Sequence, residues 1–313
     1  MTSQIPEVAV IMSTYNGEKY LAEQIDSILA QKDVHVELFI RDDGSKDSTR
    51  EIISDYVSRY DNIHAEFGSN LGWIKSFVSA LGSAPDFDYY AMSDQDDVWL
   101  EEKLITAVKA IQQKENAKGK DIPIICQTSA YIADQNLNVI GSMAYRDKRL
   151  KTIYSLAIRP TALGCCMVMN SKAREFAKHK NHEELFCRGY DISIVLFTVA
   201  CGGIFFTEDT PLMKYRQHGH NVIGTPTSIL KRMKFEYDRR FVKERGEESR
   251  FAKVVLQYLN DEMTREAKKV FTLIAGSKEK WLYRLIMFFS PKFRTGDIRV
   301  TLIEKFRILM GVQ

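Results

Sequence analysis

The sequence predicts an α/β protein with a mostly parallel central sheet, flanking helices and a C-terminal helical extension. Three observations carry this. Through its first third, short apolar runs alternate with stretches of helical periodicity. Polar and acidic residues gather directly after each apolar run. Charge divides along the chain: residues 1–227 hold 24 Lys+Arg against 30 Asp+Glu, and residues 228–313 hold 20 against 11.

The elements follow in order. "VAVIMS" (8–13) is a buried strand, and "EKYLAEQIDSILAQ" (18–31) places Leu21, Ile25, Ile28 and Leu29 on one helical face. "VELFIRDD" (36–43) is a second strand, and "DSTREIISDYVSRY" (47–60) a helix that Asp47 or Ser48 would cap. "IHAEFG" (63–68), "WIKSFVSALGSA" (73–84), "YYAMS" (89–93) and "EEKLITAVKAIQQ" (101–113) continue the alternation. Strand–helix alternation of this kind means a parallel sheet covered on both faces. Beyond residue 120 the pattern loosens. Residues 122–141 read as a strand, a turn and a return strand, 161–170 as a strand, 189–200 as a buried apolar helix, and 202–224 as short strands and a loop. Helices fill the remainder: a long polar one from Ser228, then 262–275, 278–289 and 297–310. A boundary at "GTPTS" (224–228) gives a domain 1–227, with halves 1–120 and 121–227, and an extension 228–313.

Composition narrows the class. Hydrophobic residues make up 45% and charged residues 27%, as in ordinary globular proteins. Five cysteines, Cys126, Cys165, Cys166, Cys187 and Cys201, include no CxxC, so neither a disulfide framework nor a zinc site is expected and a reducing compartment fits. The N-terminal residues do not read as a signal peptide, and no uncharged run reaches the roughly 20 residues of a spanning helix. No GxxxxGK[ST] is present, which excludes P-loop chemistry. No nucleic-acid motif accompanies the basic tail.

In a parallel sheet, ligands bind at the carboxyl ends of the strands. Ser13-Thr14-Tyr15-Asn16, Asp42-Asp43-Gly44-Ser45, Asn70 with Gly72, and Asp94–Asp97 all fall there. In an extended segment Asp94 and Asp96 point the same way, because the side-chain period is two. Like charges this close are tolerable around a hard dication, which takes oxygen ligands and bridges carboxylates to phosphates. The alternative is an acid-rich helix start favoured by the macrodipole.

"VIMSTYNGEKYLAEQIDSIL", "LFIRDDGSKDST", "SNLGWIKSF" and "MSDQDDVWLEEKL" together resemble the nucleotide-sugar half of family 2 glycosyltransferases. "SDQDDVW" is similar to the form in bacterial rhamnosyltransferase-like members, and the resemblance runs over roughly 7–224. It implies the Rossmann-like GT-A fold, an inverting transfer from a nucleotide-diphosphate sugar, and Mg²⁺ or Mn²⁺. It implies that Ser13 and Tyr15 line the base. Asp43 would bond the base or ribose, with Asp42 assisting or capping its turn. Asn70 and Gly72 would lie near base and sugar, and Asp94 and Asp96 would hold the metal. Asp97 would stand behind them or cap a helix. "RGYDISIVLF" resembles the segment carrying the catalytic base, which falls on Asp191; a helix cap is the other reading. Tyr190 and Ile192 stand where similar members carry His and Trp, and Lys75-Ser76 where an Asn is frequent. "YRQHGHNVIG" resembles the loop over the diphosphate, with Arg216 toward a phosphate and His218 as metal ligand or solvated loop residue. "LGCCMVMN" resembles the acceptor wall, where Gly164 permits close approach.

Rival readings are weaker. A haloacid-dehalogenase-type phosphatase would carry its DxD on the earliest strand, whereas three strand–helix units precede it here. A sugar-phosphate nucleotidyltransferase would need a Gly-rich, Arg-containing loop where "STYNGEKY" stands. A non-catalytic nucleotide-sugar-binding relative would not need both the DxD and a base. In the tail, "KEKWLYRLIMFF" and "DIRVTLIEKFRILM" combine apolar helical faces with basic flanks. Such faces suit an anionic membrane surface, or packing on the catalytic domain or a second subunit in a homodimer. The expectation is a peripheral enzyme on the cytoplasmic membrane face, extending a lipid-linked saccharide of a surface polysaccharide, with rhamnose as the donor sugar.

Overall fold

The computed structural model describes residues 5–143, 150–179, 181–218 and 246–312. Its first element, β1 (Glu7–Thr14), is buried from Val8 to Met12 without alternation. That is the mark of a strand covered on both faces. It pairs in parallel with β2 (His35–Asp42) on one side and β4 (Tyr89–Ser93) on the other, and β2 pairs in parallel with β3 (Ile63–Phe67). The connecting helices are α1 (Leu21–Leu29), α2 (Thr49–Arg59) and α3 (Trp73–Ser83). One face of the sheet (Val8, Val10, Met12, Leu38, Ile40, Ala91) packs in a single core with Leu21, Ile25 and Ile28 of α1 and Ile53 of α2. Each such side chain taken from water contributes about 1.5–3 kcal/mol. The same core takes in Leu104, Val108 and Ile111 of α4 (Lys103–Lys118), and α3 packs against β1.

The strand order 3-2-1-4 positions the site. The chain builds outward from β1 through β2 and β3, then returns to lay β4 on the other side of β1. The crevice between the ends of β1 and β4 is therefore the switch point where a doubly wound sheet takes its ligand.

The second half adds antiparallel pairs to this parallel start. The remaining strands are β5 (Val98–Trp99), β6 (Ile124–Ala133), β7 (Val139–Met143), β8 (Met167–Asn170) and β9 (Ile204–Arg216). β8 runs antiparallel to β4, with Ala91 opposite Val168. The residues entering β8, Cys165 and Cys166, thus meet the carboxyl end of β4. β9 runs parallel to β6 and antiparallel to β5, with Val98 opposite Lys214, which brings Arg216 back beside Asp96 and Asp97. The two-residue β5 is too short to show a period, so nothing in "DVWLEE" announces it. β9 is one 13-residue strand in place of the short strands expected over 202–224.

The described residues form two compact units. The first comprises 1–147, 162–198 and 203–217, and holds the sheet. The second comprises 148–161, 199–202 and 218–313, so it is not one contiguous stretch. The boundary expected at 224–228 lies outside the described residues, as does the start of the long polar helix. In the second unit stand α5 (Ile153–Ile158), α8 (Glu247–Leu259), α9 (Arg265–Ala275), α10 (Trp281–Phe289) and α11 (Ile298–Met310). The first unit also carries α6 (Ser171–Arg174), and α7 (Tyr190–Ala200) begins there. Thr264 and Asp297 cap α9 and α11 with side-chain oxygens on Ala267 N–H, and on Arg299 and Val300 N–H. Phe251, Val255, Phe271, Ile274, Met287 and Ile308 are buried in this unit. Beside them Arg307 is fully buried with Glu304 at 2.8 Å and Glu248 at 3.2 Å, and Arg159 reaches Glu304 at 3.2 Å. No described helix is long and apolar enough to cross a membrane.

Candidate active site

The loops after β1, β2 and β4 are laced by side chains that hold backbone. Asn16 N–H donates to Ser45 Oγ, Gly17 N–H to Thr49 Oγ1 and Lys46 N–H to Asn16 Oδ1, joining the first two loops. Gln95, the middle residue of "DQD", meets Tyr15 from the third. Its Oε1 accepts from Tyr15 N–H at 2.8 Å and its Nε2 donates to Tyr15 O at 3.2 Å. Gln24 Nε2 donates to Ser93 Oγ at 2.7 Å, and that hydroxyl donates to Asp94 O.

Asp42 and Asp43 are both buried, with different tasks. Asp42 accepts from Gly44 N–H, Ser45 N–H and Arg50 Nε, the last at 2.7 Å. Burial works against its charge, but the hydrogen bonds from Ser45 and Arg50 prevail and hold its carboxyl below the ordinary range. It caps the turn, one of the two roles expected for it. Asp43 Oδ1 accepts from Arg41 Nη1 at 2.6 Å and Leu71 N–H at 2.8 Å, and its Oδ2 from Gly72 N–H at 2.9 Å. It thereby fixes the loop that carries Asn70, whose side chain stays exposed, and Gly72, whose φ of 81° favours glycine. Arg41 also donates to Ser76 Oγ, which shares a 2.6 Å hydrogen bond with Ser13 Oγ. One buried arginine therefore ties the loops after strands two and three together and, through Ser76, to the end of β1. Sequence reading did not single it out; an arginine one residue before the end of an apolar strand is the signal available. Tyr15 is 44% exposed at this end of the site.

At the end of β4 the carboxylates crowd. Burial first, then the charges of Asp96 and Asp191, push Asp94 up to about 7. Asp97 is fully buried; burial, then Asp94 and Asp96, push it well above the ordinary range. Its Oδ1 accepts Arg216 N–H at 3.0 Å, while Oδ2 has no hydrogen-bond partner among the described residues. Ligand atoms of Asp94, Asp97 and Cys165 lie within 4.8 Å of one another, and Asp96 is outside that group. The carboxylate oxygens suit a hard cation; the buried thiol does not. An orphaned carboxylate oxygen among mutually repelling acids fits a site completed by positive charge. Lys103, also unforeseen, is buried beside it. Its Nζ donates to Cys165 O at 2.7 Å and lies 3.5 Å from the Trp99 ring centre, and burial pushes it down to about 8.

Arg216 is buried and turned into the protein. Nε donates to Asp96 O at 2.7 Å, Nη1 to Gln135 O at 2.7 Å, and Nη2 pairs with Glu23. The fork so clamps the backbone of the DxD loop. His218 falls in the second unit, at the end of a described run.

Asp191 stands in the first turn of α7 and is half-buried. Its Oδ1 accepts Ile192 N–H at 2.8 Å. Burial raises its pKa, opposed by backbone hydrogen bonds that include Gly164. Its charge is close enough to raise Asp94. Tyr190 stacks on Phe77 with ring centres 4.4 Å apart, and a Cβ at Gly164 would fall on the Tyr190 hydroxyl. The close approach that Gly164 permits is thus made by Tyr190. At Gly189, φ is 108°, and a Cβ there would touch both Asp191 Oδ1 and the Trp73 ring. Trp73, 44% exposed, therefore borders Asp191. The arrangement offers one carboxylate of raised basicity facing a crowded anionic pair.

Comparison with known proteins agrees with this layout. The chain is 28% identical over 233 residues to the dTDP-rhamnosyl transferase RfbG of Shigella flexneri, covering 71% of this chain and 77% of that one. It is 28% identical over 174 residues to the putative teichuronic acid biosynthesis glycosyltransferase TuaG of Bacillus subtilis, covering 54% and 64%. The fold is similar to the crystal structure of S. aureus TarS 1-349 in complex with UDP-GlcNAc, with a TM-score of 0.54, 12% identity, and coverage of 97% and 89%. The expected GT-A class is thus borne out. Residues 9–175 match the family described as Glycosyl transferase family 2, and with more than half its length so matched, the chain belongs to that family.

Proposed function

We propose that this glycosyltransferase inverts configuration as it moves a sugar from a nucleotide-diphosphate donor to a hydroxyl of a lipid-linked glycan. The product is a bacterial surface polysaccharide, the sugar is rhamnose, and Mg²⁺ or Mn²⁺ is the cofactor. The observation that carries the reading is the meeting of Asp191 with the Asp94 cluster at the switch point of the sheet. The likeness to RfbG supports rhamnose, that to TuaG a surface polymer, and the UDP-GlcNAc bound by TarS a nucleotide-sugar donor.

Ser13, Tyr15, Asp43, Asn70 and Gly72 form the nucleotide end. Asp42 and Arg216 act by holding the donor loops, because their polar atoms are engaged with neighbouring chain. Asp94 and Asp96, with Asp97 behind them, would hold the cation. When bound, it supplies Lewis-acid stabilisation of charge developing on the diphosphate. Asp191 takes the proton from the acceptor hydroxyl. The oxygen attacks the anomeric carbon opposite the diphosphate, the bond to the diphosphate breaks, and configuration inverts. Burial raises the basicity of Asp191, as a general base requires. Trp73 offers an apolar face to a sugar ring beside that base.

The test is a donor panel, dTDP-rhamnose, UDP-GlcNAc, UDP-galactose and GDP-mannose, each with Mg²⁺, Mn²⁺ or EDTA. Release of dTDP from dTDP-rhamnose, abolished by EDTA, is expected. Binding of donors without turnover in the presence of a lipid-linked acceptor would favour a non-catalytic relative.

A further inference from the structure

The second unit carries an apolar surface that its own core does not use. Trp281 and Phe289 of α10, and Ile298, Leu302, Phe306 and Met310 of α11, are each between 53% and 77% exposed. Positions 298, 302, 306 and 310 recur every four residues, so they form one stripe along α11. Lys305 Nζ donates to Phe288 O at 2.6 Å and Ser290 O at 3.1 Å. That ties the end of α10, where Phe289 stands, to the middle of the α11 stripe. At roughly 200 Å² for a large side chain, the six leave on the order of 800 Å² in water. The largest apolar patch on an ordinary monomer is about 300–600 Å².

The polar residues around this surface are biased in sign. Lys278, Lys280, Lys292, Arg294 and Arg299 are exposed, against the exposed acids Glu279, Asp297 and Glu266, the last paired with Lys292 at 2.8 Å. The remaining charges of α11 are directed inward. Glu304 and Arg307 are buried with Glu248, and among the described residues Arg159 joins them in a set of two cations and two anions. Among the described residues, the surface therefore keeps a positive excess while the buried set is balanced.

We infer that α10 and α11 form a pre-folded plate that seats the enzyme on an anionic lipid bilayer. Helices of 9 and 13 residues are too short to span, since a crossing needs about 20. They are suited to lie in the interface with the apolar face down and basic residues at the headgroups. Trp281, at the start of α10, is of the type that settles at headgroup level. The cores of protein–protein interfaces are poor in lysine, whereas three lysines are among the exposed basic residues here. The plate does not need the membrane to fold. Its inner face is fixed by Met287, Phe293 and Ile308 and by the buried ion network. Binding therefore adds no helix, unlike a peptide that folds on the bilayer. The inference deepens the proposed function by giving a lipid-linked acceptor the surface at which it would be met.

The experiment uses the full chain and vesicles of neutral phosphatidylcholine or of phosphatidylcholine with one third phosphatidylglycerol. Co-sedimentation with the anionic vesicles, weakened by salt, and far-UV circular dichroism unchanged on vesicle addition are expected. Phe289→Glu/Leu302→Glu should lose at least tenfold in partition while keeping its spectrum and its donor hydrolysis. Lys278→Gln/Lys280→Gln/Arg294→Gln/Arg299→Gln should lose the preference for anionic vesicles. Equal sedimentation of wild type and the apolar variant would overturn the inference. So would a dimer by light scattering that binds no vesicles and that the apolar variant dissociates. Donor hydrolysis is read without vesicles, so failure of the membrane inference and failure of the transferase reading are distinguishable.

Discussion

Two groups of buried charge in this chain are built in opposite ways. In the first unit, Asp94 and Asp97 crowd with Asp96, their pKa values are driven up, and Asp97 Oδ2 has no hydrogen-bond partner among the described residues. In the second unit, Glu248 and Glu304 are as buried as Asp97, but each faces a guanidinium within 3.2 Å. A buried charge is costly unless paired. The paired set is a finished structural element. In the acidic set, burial and mutual repulsion raise the pKa values despite Lys103 beside it, and the proposed cation would offset that repulsion. The contrast separates a group whose charges are matched within the fold from one that the proposed function completes with a cation.

Asp94→Asn should break the first group most severely. On the proposed function it removes one ligand and one charge of the cation site and should cost transfer on the order of 10³-fold or more, the worth of several kcal/mol of Lewis-acid stabilisation. The melting temperature should stay level or rise, because a repelling carboxylate is gone. Normal turnover by a folded variant would remove the metal assignment.

Asp191→Asn tests the partner of that cluster. Nucleotide-sugar affinity, measured by calorimetry, should persist while transfer falls roughly 10²- to 10⁴-fold, the range for a positioned general base. Lost affinity with high residual turnover would make Asp191 a cap of α7 and nothing more.

Arg307→Met carries the comparison to the second unit. It removes the guanidinium that faces both buried Glu248 and buried Glu304, leaving Arg159 at 3.2 Å from Glu304, and should destabilise by about 3–5 kcal/mol. Adding Glu248→Gln and Glu304→Gln should restore part of the loss, which thermal melts of both variants would reveal. Donor hydrolysis at a temperature where all are folded should be unchanged.

The smallest effect is a pH dependence. An unfolded aspartate titrates near 3.9, whereas Asp94 in the folded protein titrates at about 7, with Asp97 also raised. With the folded values above the unfolded ones, the stability from these groups is complete below about pH 4 and is lost as pH rises through about 7. The metal-free chain should therefore melt lower at pH 8 than at pH 5, and Asp94→Asn should flatten the difference. Mn²⁺ should raise the melting temperature more at pH 8, where the carboxylates are already ionised. A wild-type difference no larger than the variant's would contradict the reading.

The sequence by itself determined the alternating elements of the first half, because apolar periodicity records which faces of a single element are buried. β1 to β4 and α1 to α4 stand where it puts them, within a few residues at their ends. The same periodicity found α7, α9, α10 and α11. It also put the polar clusters at strand ends, since a strand–helix alternation leaves no other place for them. Composition made the tail basic and amphipathic. Only the tertiary structure decided what each polar group meets. Arg216 is clamped on the Asp96 carbonyl 120 residues away, Lys103 on Cys165 62 residues away, and Gln95 on Tyr15 80 residues away. Such partners are set by strand register and by the packing of loops across a sheet, and no local pattern encodes them. Arg41 and Trp73 were overlooked for the same reason: an arginine in a strand and a tryptophan at a helix start gain meaning only from what the fold lays beside them.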